Sequence, residues 1–211
     1  MIEWSLQAFA SCEAVAAVVV ALPPEASSRL PDVRQVGPGD GSTTLVAGGA
    51  TRAESVSNAL ARVETELVAI HDAARPLLTA ALLEALVADL DAAPEADAAI
   101  AAAPVTDTVK CSSPESMRQL VSSENTNRRI VAETVDRSTL WAAQTPQVFR
   151  TAALREALEV DQATRDAATD EAMLIEAAGG TVLLHEVTEP NLKVTTPLDL
   201  RVAELLLSER T

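Results

Sequence analysis

The sequence predicts one α/β domain in which helices cover both faces of a mostly parallel sheet. Short apolar segments such as 14–22 and 98–103 suit buried strands, and alanine- or leucine-rich segments of helical spacing alternate with them. Strands that are apolar on both faces need cover on both sides, which gives a three-layer architecture. A chain of 211 residues is long enough for a single domain of this kind, spanning 1–211.

The first hundred residues contain seven predicted elements. The spacing of Ile2, Leu6 and Phe9 predicts a helix, and the β-branched segment that ends at Pro23 predicts a buried strand. In chain order the elements are a helix over 2–10, a strand over 14–22, a strand over 44–47, a helix over 54–63, a strand over 67–70, a helix over 79–90 and a strand over 98–103.

The alternating pattern stops at residue 106. The segment 106–135 is polar and serine-rich with short β-prone pieces, which predicts a hairpin-like arm that leaves the domain and meets a partner. The remaining predicted elements are a strand over 140–143, helices over 151–159 and 170–178, a strand over 181–187 and a last helix over 197–209 with Pro197 in its first turn.

Charge and composition exclude several classes of partner. Sixteen basic against 31 acidic residues give a net charge of −15, which repels a nucleic acid backbone. No run of 18 apolar residues and no signal peptide pattern is present, so we expect no membrane partner and a cytoplasmic location. Cys12 and Cys111 have no neighbouring Cys or His, so neither a zinc site nor a disulfide framework is predicted.

Polar residues follow several of the predicted strands directly. The ligand crevice of an open parallel sheet lies beyond the carboxyl ends of its strands, so these residues are candidates for a binding site. Gly48 and Gly49 would let backbone amides approach a ligand closely. Asp72 and Arg75 place an acid and a base three residues apart, although a helix-capping Asp72 and an exposed Arg75 are equally good interpretations.

Hydroxyls, cations and one carboxylate recur at element ends of an otherwise acidic chain. The chain has only two lysines, and both fall at such ends; the set is Asp72, Arg75, Thr108, Lys110, Arg137, Thr145, Thr169 and Lys193. This pattern is typical of a site for anionic small molecules, phosphates above all. A purely structural interpretation exists for Thr169 as a helix N-cap, and both histidines, His71 and His185, are interpreted as core residues.

Several enzyme classes lose support because their motifs are absent. The sequence contains no phosphate loop of the ATPase type, no dinucleotide fingerprint, no zinc-protease helix motif and no nucleophile elbow.

Seven segments, in order, resemble those of the 2-C-methyl-D-erythritol 4-phosphate cytidylyltransferase family. They are 48–56, 71–76, 103–110, 134–137, 144–149, 169–172 and 191–200. The resemblance implies a three-layer Rossmann-like nucleotidyltransferase fold with a protruding β-arm, and a homodimer formed through the arm over 106–135. It also implies Mg²⁺ dependence and transfer of CMP from CTP to a sugar-alcohol phosphate, 2-C-methyl-D-erythritol 4-phosphate, with release of pyrophosphate.

The resemblance also assigns roles to residues. Asp72, Arg137 and Lys193 would be catalytic, with Arg137 reaching across from the partner subunit. Nucleotide binding would fall to Gly48, Gly49, Ala50, Ser55, Asp72 and Ala73, and acceptor binding to Arg75, Thr108, Arg137, Thr145, Thr169 and Lys193. Many relatives carry an acidic residue in place of Ala50.

Two features depart from the family pattern and leave alternatives open. The family's first strand and its glycine-rich, cation-bearing loop would precede Met1, and that strand would lie between 14–22 and 67–70. We therefore expect little activity from the chain as given, either because the natural protein starts upstream or because this is a shortened relative. The alternatives are a ribitol 5-phosphate cytidylyltransferase and a non-catalytic nucleotide-binding relative.

Overall fold

A computed structural model describes residues 1–23, 26, 43–112 and 129–210. Within these ranges the helices are α1 Ile2–Ala10, α2 Arg52–Leu60, α3 Ala80–Ala92, α4 Thr151–Ala157, α5 Gln162–Ala167, α6 Glu171–Ala177 and α7 Pro197–Ser208. The strands are β1 Val18–Leu22, β2 Thr43–Ala47, β3 Leu67–Ile70, β4 Ala98–Pro104, β5 Lys110–Ser112, β6 Val131–Thr134, β7 Trp141–Arg150 and β8 Val182–Glu186.

The central sheet has four strands in the order β3-β7-β4-β8. Strand β7 runs antiparallel to both β3 and β4, whereas β8 is parallel to β4. The sheet is therefore mixed: β3, β4 and β8 run in one direction, as a mostly parallel sheet requires, and β7 is a reversed strand between β3 and β4 that the sequence pattern did not predict. The predicted strand over 140–143 continues to Arg150, because Thr145–Phe149 is buried in the sheet.

Helices cover both faces of this sheet, as the sequence predicts. Neighbouring residues of the strands alternate between two cores, since side chains of a strand point to opposite faces in turn. On one face Ala99 and Val148 pack with Leu86 and Leu90 of α3. On the other face, Ile100 and Phe149 belong to a core with residues of α4 and α6, namely Leu154, Ala172, Leu174 and Ile175.

Strands β1 and β2 form a separate parallel pair, with Val18 opposite Thr43 and Leu22 opposite Ala47. Among the described residues no strand joins β1 to β3. A cleft of ≈ 720 Å³ lies there instead, lined by residues of β1 and β3 together with α1 and α2. Its walls are mainly apolar, so two strand edges face each other across an apolar gap. This is the position at which the sequence analysis expects an absent strand.

The predicted arm is present in part. Strands β5 and β6 pair antiparallel, with Lys110 opposite Thr134, and every residue in them is exposed. The part of the arm over 113–128 lies outside the described residues. Dimerisation through the arm therefore stays a prediction. Of the helices that the structure describes, none has the length and apolar character needed to cross a membrane.

Candidate functional site

The site is built on the turn that follows β3. Asp72 lies directly beyond this strand, and one of its carboxylate oxygens accepts a hydrogen bond from Lys193 Nζ at 2.7 Å. Arg52 Nε lies 3.7 Å from the other oxygen. Partial burial acts to raise the pKa of Asp72, but the hydrogen bond and charge of Lys193, together with Arg52 and Arg75, hold it below its ordinary value. Asp72 is thus an ion-paired carboxylate, and the capping interpretation is wrong.

The turn itself is held by His71 and Thr145. Nε2 of His71 lies 3.1 Å from the carbonyl oxygen of Arg75, which can only accept, so Nε2 carries the hydrogen. Nδ1 then accepts from the Thr145 hydroxyl at 3.2 Å, and the hydroxyl oxygen accepts from the Asp72 amide at 3.0 Å. Burial lowers the pKa of His71 from 6.5 to about 4, so the ring is neutral at pH 7. The prediction of a core histidine holds for His71.

Lys193 is positioned by the segment that precedes α7. The Arg75 guanidinium donates to the Asn191 carbonyl at 2.7 Å, and the Val194 amide donates to the Ala74 carbonyl at 2.8 Å. The Asn191 side-chain amide donates to the Thr145 carbonyl at 2.9 Å. Arg75 is therefore partly buried, and one of its nitrogens holds the backbone of Asn191 in place. This corrects the interpretation of an exposed residue. Together these bonds fix the position of the backbone at Lys193.

A second ion pair at the site was missed by the sequence analysis. Arg52 Nη1 donates to both carboxylate oxygens of Glu171, at 2.6 and 2.7 Å, and the Glu171 side chain is only 3% exposed. Burial acts to lower the pKa of Arg52, but Glu171 and Asp72 raise it overall. One signal was available: Arg52 begins a helix, where the helix dipole disfavours a cation unless an anion is near.

The glycine loop over 48–50 forms hydrogen bonds to α2, the helix that follows it. The Gly49 amide donates to Ser55 Oγ at 2.9 Å, and the Ala50 amide donates to a Glu54 carboxylate oxygen at 2.7 Å. A side chain at position 49 would collide with Glu54, which explains the glycine. Gly48 follows β2 and donates to the Leu22 carbonyl at 2.8 Å, which ties the loop to the end of β1. The expectation that this loop reads a base stays a prediction.

Other predicted site residues lie apart from Asp72 or have different roles. Thr145 is buried, and its hydroxyl accepts from the Asp72 amide in the turn after β3. Ala73 is exposed at the turn, and Thr108 lies just before β5. Lys110 donates to Thr134 within the arm at 2.6 Å, and Arg137 donates to the Thr106 carbonyl.

Two structural interpretations need correction. The N-cap of α6 is Asp170 and not Thr169, because the Asp170 carboxylate accepts from the Met173 amide at 3.0 Å. Thr169 is exposed beside it. His185 is not a core residue but lies on the edge strand β8, partly exposed, with Nδ1 2.8 Å from an Asp89 carboxylate oxygen.

Metal ligands are sparse in the part of the chain that the structure describes. No group of three or more His, Cys, Asp or Glu side chains there is arranged to hold a metal ion. Asp72 is the carboxylate at the strand end, and its oxygens face two cations. This donor set does not suit an ion bound by protein alone. A hydrated ion such as Mg²⁺ that phosphate oxygens also bind could use Asp72 as a single protein ligand.

Comparison with known proteins decides the family. The family model described as IspD, 2-C-methyl-D-erythritol 4-phosphate cytidylyltransferase, matches residues 1–209 of the chain. The chain belongs to this family. The structure resembles that of the 2-C-methyl-D-erythritol 4-phosphate cytidylyltransferase from Thermus thermophilus, with a TM-score of 0.72, 34% identity, and coverage of 98% of this chain and 88% of that one. The predicted Rossmann-like α/β fold is confirmed.

Curated relatives within the family differ in length from this chain. It is 42% identical over 203 residues to the bifunctional enzyme IspD/IspF of Anaeromyxobacter dehalogenans, a match that covers 96% of this chain and 49% of that protein. It is 43% identical over 169 residues to the 2-C-methyl-D-erythritol 4-phosphate cytidylyltransferase of Symbiobacterium thermophilum, covering 79% and 65% respectively. The matched regions thus span about half to two thirds of these relatives.

Proposed function

We propose that this chain carries the site of a cytidylyltransferase that joins CMP from CTP to 2-C-methyl-D-erythritol 4-phosphate. The products would be 4-diphosphocytidyl-2-C-methyl-D-erythritol and pyrophosphate. The observation that carries the proposal is the cluster of Arg52, Arg75 and Lys193 around Asp72 at the end of β3, in a chain whose net charge is −15. Although Arg52 also pairs with Glu171, this clustering of three cations in an acidic chain favours a polyanionic substrate. The names of the relatives favour the methylerythritol phosphate acceptor over ribitol 5-phosphate.

In the proposed reaction a phosphate oxygen of the acceptor attacks the α-phosphorus of CTP. A new phosphorus–oxygen bond forms, the bond from the α-phosphorus to the bridging oxygen breaks, and pyrophosphate leaves with that electron pair. The protein contributes position and positive charge in such a step rather than a covalent intermediate. Bound Mg²⁺ would neutralise charge on the phosphates, and phosphate oxygens and water would supply most of its ligands.

Lys193 and Arg75 are suited to the charge-stabilising role. The Lys193 side chain is 46% exposed while Asp72 fixes its ammonium group, so the cation is held but remains accessible. Arg75 uses one nitrogen on the Asn191 carbonyl, and its charge lies close enough to Asp72 to lower the pKa of that carboxyl. It therefore adds positive charge at the end of β3. Arg137 donates to the Thr106 carbonyl, and its service to a partner subunit stays a prediction.

The cleft between β1 and β3 lies where the family pattern has a further strand. We propose that it receives one further strand, the first strand of the family pattern, together with the glycine-rich loop that follows that strand. The cleft is lined by both strands and is mainly apolar. A strand there would pair with two edges that have no partner strand on that side among the described residues.

The deciding experiment measures pyrophosphate release from CTP and 2-C-methyl-D-erythritol 4-phosphate with Mg²⁺. The chain as given is compared with a chain extended by the family's first strand and loop. Turnover by the extended chain alone supports both parts of the proposal. Turnover with ribitol 5-phosphate in preference would contradict the assigned acceptor. CTP binding by calorimetry without turnover in either chain would favour the non-catalytic alternative.

A further inference from the structure

A buried carboxylate lies behind the Asp72–Lys193 pair. Glu171 opens α6, and its side chain is 3% exposed, whereas Asp72 and Lys193 are 20% and 46% exposed. Its partner is the guanidinium of Arg52, which opens α2. Four charges, Glu171, Arg52, Asp72 and Lys193, therefore lie in a continuous row from the protein interior to the surface.

Arg52 faces two carboxylates and is held unequally by them. Its Nη1 makes two short contacts to Glu171, at 2.6 and 2.7 Å, but its Nε stands 3.7 Å from Asp72. The closer contact to Asp72 is that of Lys193 Nζ at 2.7 Å. Arg52 and Lys193 thus face different oxygens of one carboxylate, and Lys193 is the closer of the two. A guanidinium that moved onto both oxygens would compete with Lys193 for them.

The surroundings of Arg52 offer little substitute for Glu171. The carboxylate of Asp170 accepts from the Met173 amide at 3.0 Å and from the Gln147 side chain at 2.8 Å. Thr51, next to Arg52, donates to Asp166 at 3.0 Å. If the charge at 171 were removed, the strongest remaining attraction for the guanidinium would come from Asp72, followed by Asp170, whose two oxygens already accept hydrogen bonds.

We propose that Glu171 is a positioning residue that draws Arg52 away from Asp72 and so leaves the Asp72 carboxylate to Lys193. It acts through Arg52 and touches neither substrate nor reacting atoms. The proposal deepens the proposed function, because a fixed Lys193 ammonium is what would stabilise charge in the transfer step. Its test does not require turnover.

The scarcity of lysine makes the test direct. Lys110 and Lys193 are the only lysines in the chain, so brief acetylation by acetic anhydride followed by mass spectrometry gives a Lys193 to Lys110 labelling ratio. Lys110 lies in the arm, bonded to Thr134, and serves as an internal reference. The Glu171→Gln variant should raise the ratio about three- to ten-fold, as expected for loss of one charge-assisted hydrogen bond. Asp72→Asn, which removes the partner itself, should raise it at least as much.

A double variant separates positioning from loosening of the fold. In Arg52→Gln/Glu171→Gln the competitor for Asp72 is also gone, so the ratio should return to the wild-type value or below it. Glu176→Gln, at an exposed position of the same helix, is the matched control and should leave the ratio unchanged. An unchanged ratio in Glu171→Gln while Asp72→Asn raises it overturns the proposal.

A raised ratio in the double variant also overturns it, because the fold and not Arg52 would then be responsible. That outcome can be read even if the single variant is unstable, since removing both members of an ion pair with one buried partner is tolerated better than removing one. The assay contains no nucleotide. A positive result without turnover by any form of the chain would therefore contradict the proposed function alone.

Discussion

The Thr145 hydroxyl joins the side chain of His71 to the backbone of Asp72. It donates to Nδ1 of His71 at 3.2 Å and accepts from the Asp72 amide at 3.0 Å. Two residues of a strand-end turn are thereby tied to a residue that lies 73 positions after Asp72 in the sequence. The turn that carries the catalytic candidate Asp72 is therefore fixed by the neighbouring strand β7, and this dependence has measurable consequences.

Replacing Thr145 by valine should destabilise the protein while preserving the shape of the side chain. The Asp72 amide and His71 Nδ1 would both lose their partner in a largely buried place. We expect a loss of about 1–3 kcal/mol in the free energy of unfolding, measured by urea denaturation. Thr145→Ser keeps the hydroxyl and should lose less than half as much. No loss in Thr145→Val would show that the hydroxyl does not hold the turn, and a loss in Thr145→Ser as large as that in Thr145→Val would show that the methyl group matters as much as the hydroxyl.

The lowered pKa of His71 predicts that stability falls as the solution becomes acidic. The unfolded chain binds a proton near pH 6.5, whereas the folded chain resists protonation down to about pH 4. Stability is therefore fully present above pH 6.5 and is lost as pH falls from 6.5 towards 4, by roughly 2–3 kcal/mol in total. Urea denaturation at intervals between pH 7.5 and 4 measures the slope.

The His71→Gln variant is the control for that slope. It has a lower stability at every pH because hydrogen bonds are lost, but it should show a flatter dependence between pH 6.5 and 4. Asp72 contributes in a different window, since its pKa is below the ordinary value of 3.8 and its contribution is lost only as pH falls through that lower range. Parallel curves for wild type and variant would contradict the assignment of a buried neutral ring.

The sequence predicted those features that depend on local pattern. Apolar segments separated by turn residues located β1, β3 and β4. Asp72 was selected because ligands bind beyond the carboxyl ends of the strands in open α/β sheets. Lys193 stood out because the chain has only two lysines. These inferences need only neighbouring residues, or the general geometry of α/β sheets, and the structure places both side chains in one ion pair.

Features that depend on distant residues could not be predicted in this way. Arg52 and Glu171 are 119 residues apart, and each has an ordinary local interpretation at the start of a helix. The buried part of β7 contains Pro146, which has no amide hydrogen to give to a sheet, so the pattern favoured a loop there. Burial of the neighbouring apolar side chains of Val148 and Phe149 between β3 and β4 outweighs that cost.

The open edges of β1 and β3 predict a specific pattern of hydrogen exchange. In the chain as given, amides of Val18–Leu22 and Leu67–Ile70 that face the cleft should exchange quickly, because β1 pairs only with β2 and β3 only with β7 in the described residues. Addition of the family's first strand should slow exchange in both segments about tenfold or more, as measured by mass spectrometry. Strand β4, which pairs on both sides, is the internal control and should change little. Unchanged exchange in β1 and β3 would contradict a strand in the cleft.

Removal of the Lys193 ammonium should reduce catalysis more than it reduces stability. In a chain extended to turnover competence, Lys193→Ala should lower kcat/KM about 10²–10³-fold, the usual effect of deleting one charge-stabilising donor at a reacting group. The free energy of unfolding should change by less than about 1 kcal/mol, because the Lys193 side chain is half exposed and such pairs contribute little. Arg201→Ala removes an exposed cation from α7 and is the control, with kcat/KM expected to stay within about twofold of the parent value. A similar loss of kcat/KM in both variants would indicate a general effect of net charge instead of a role for Lys193.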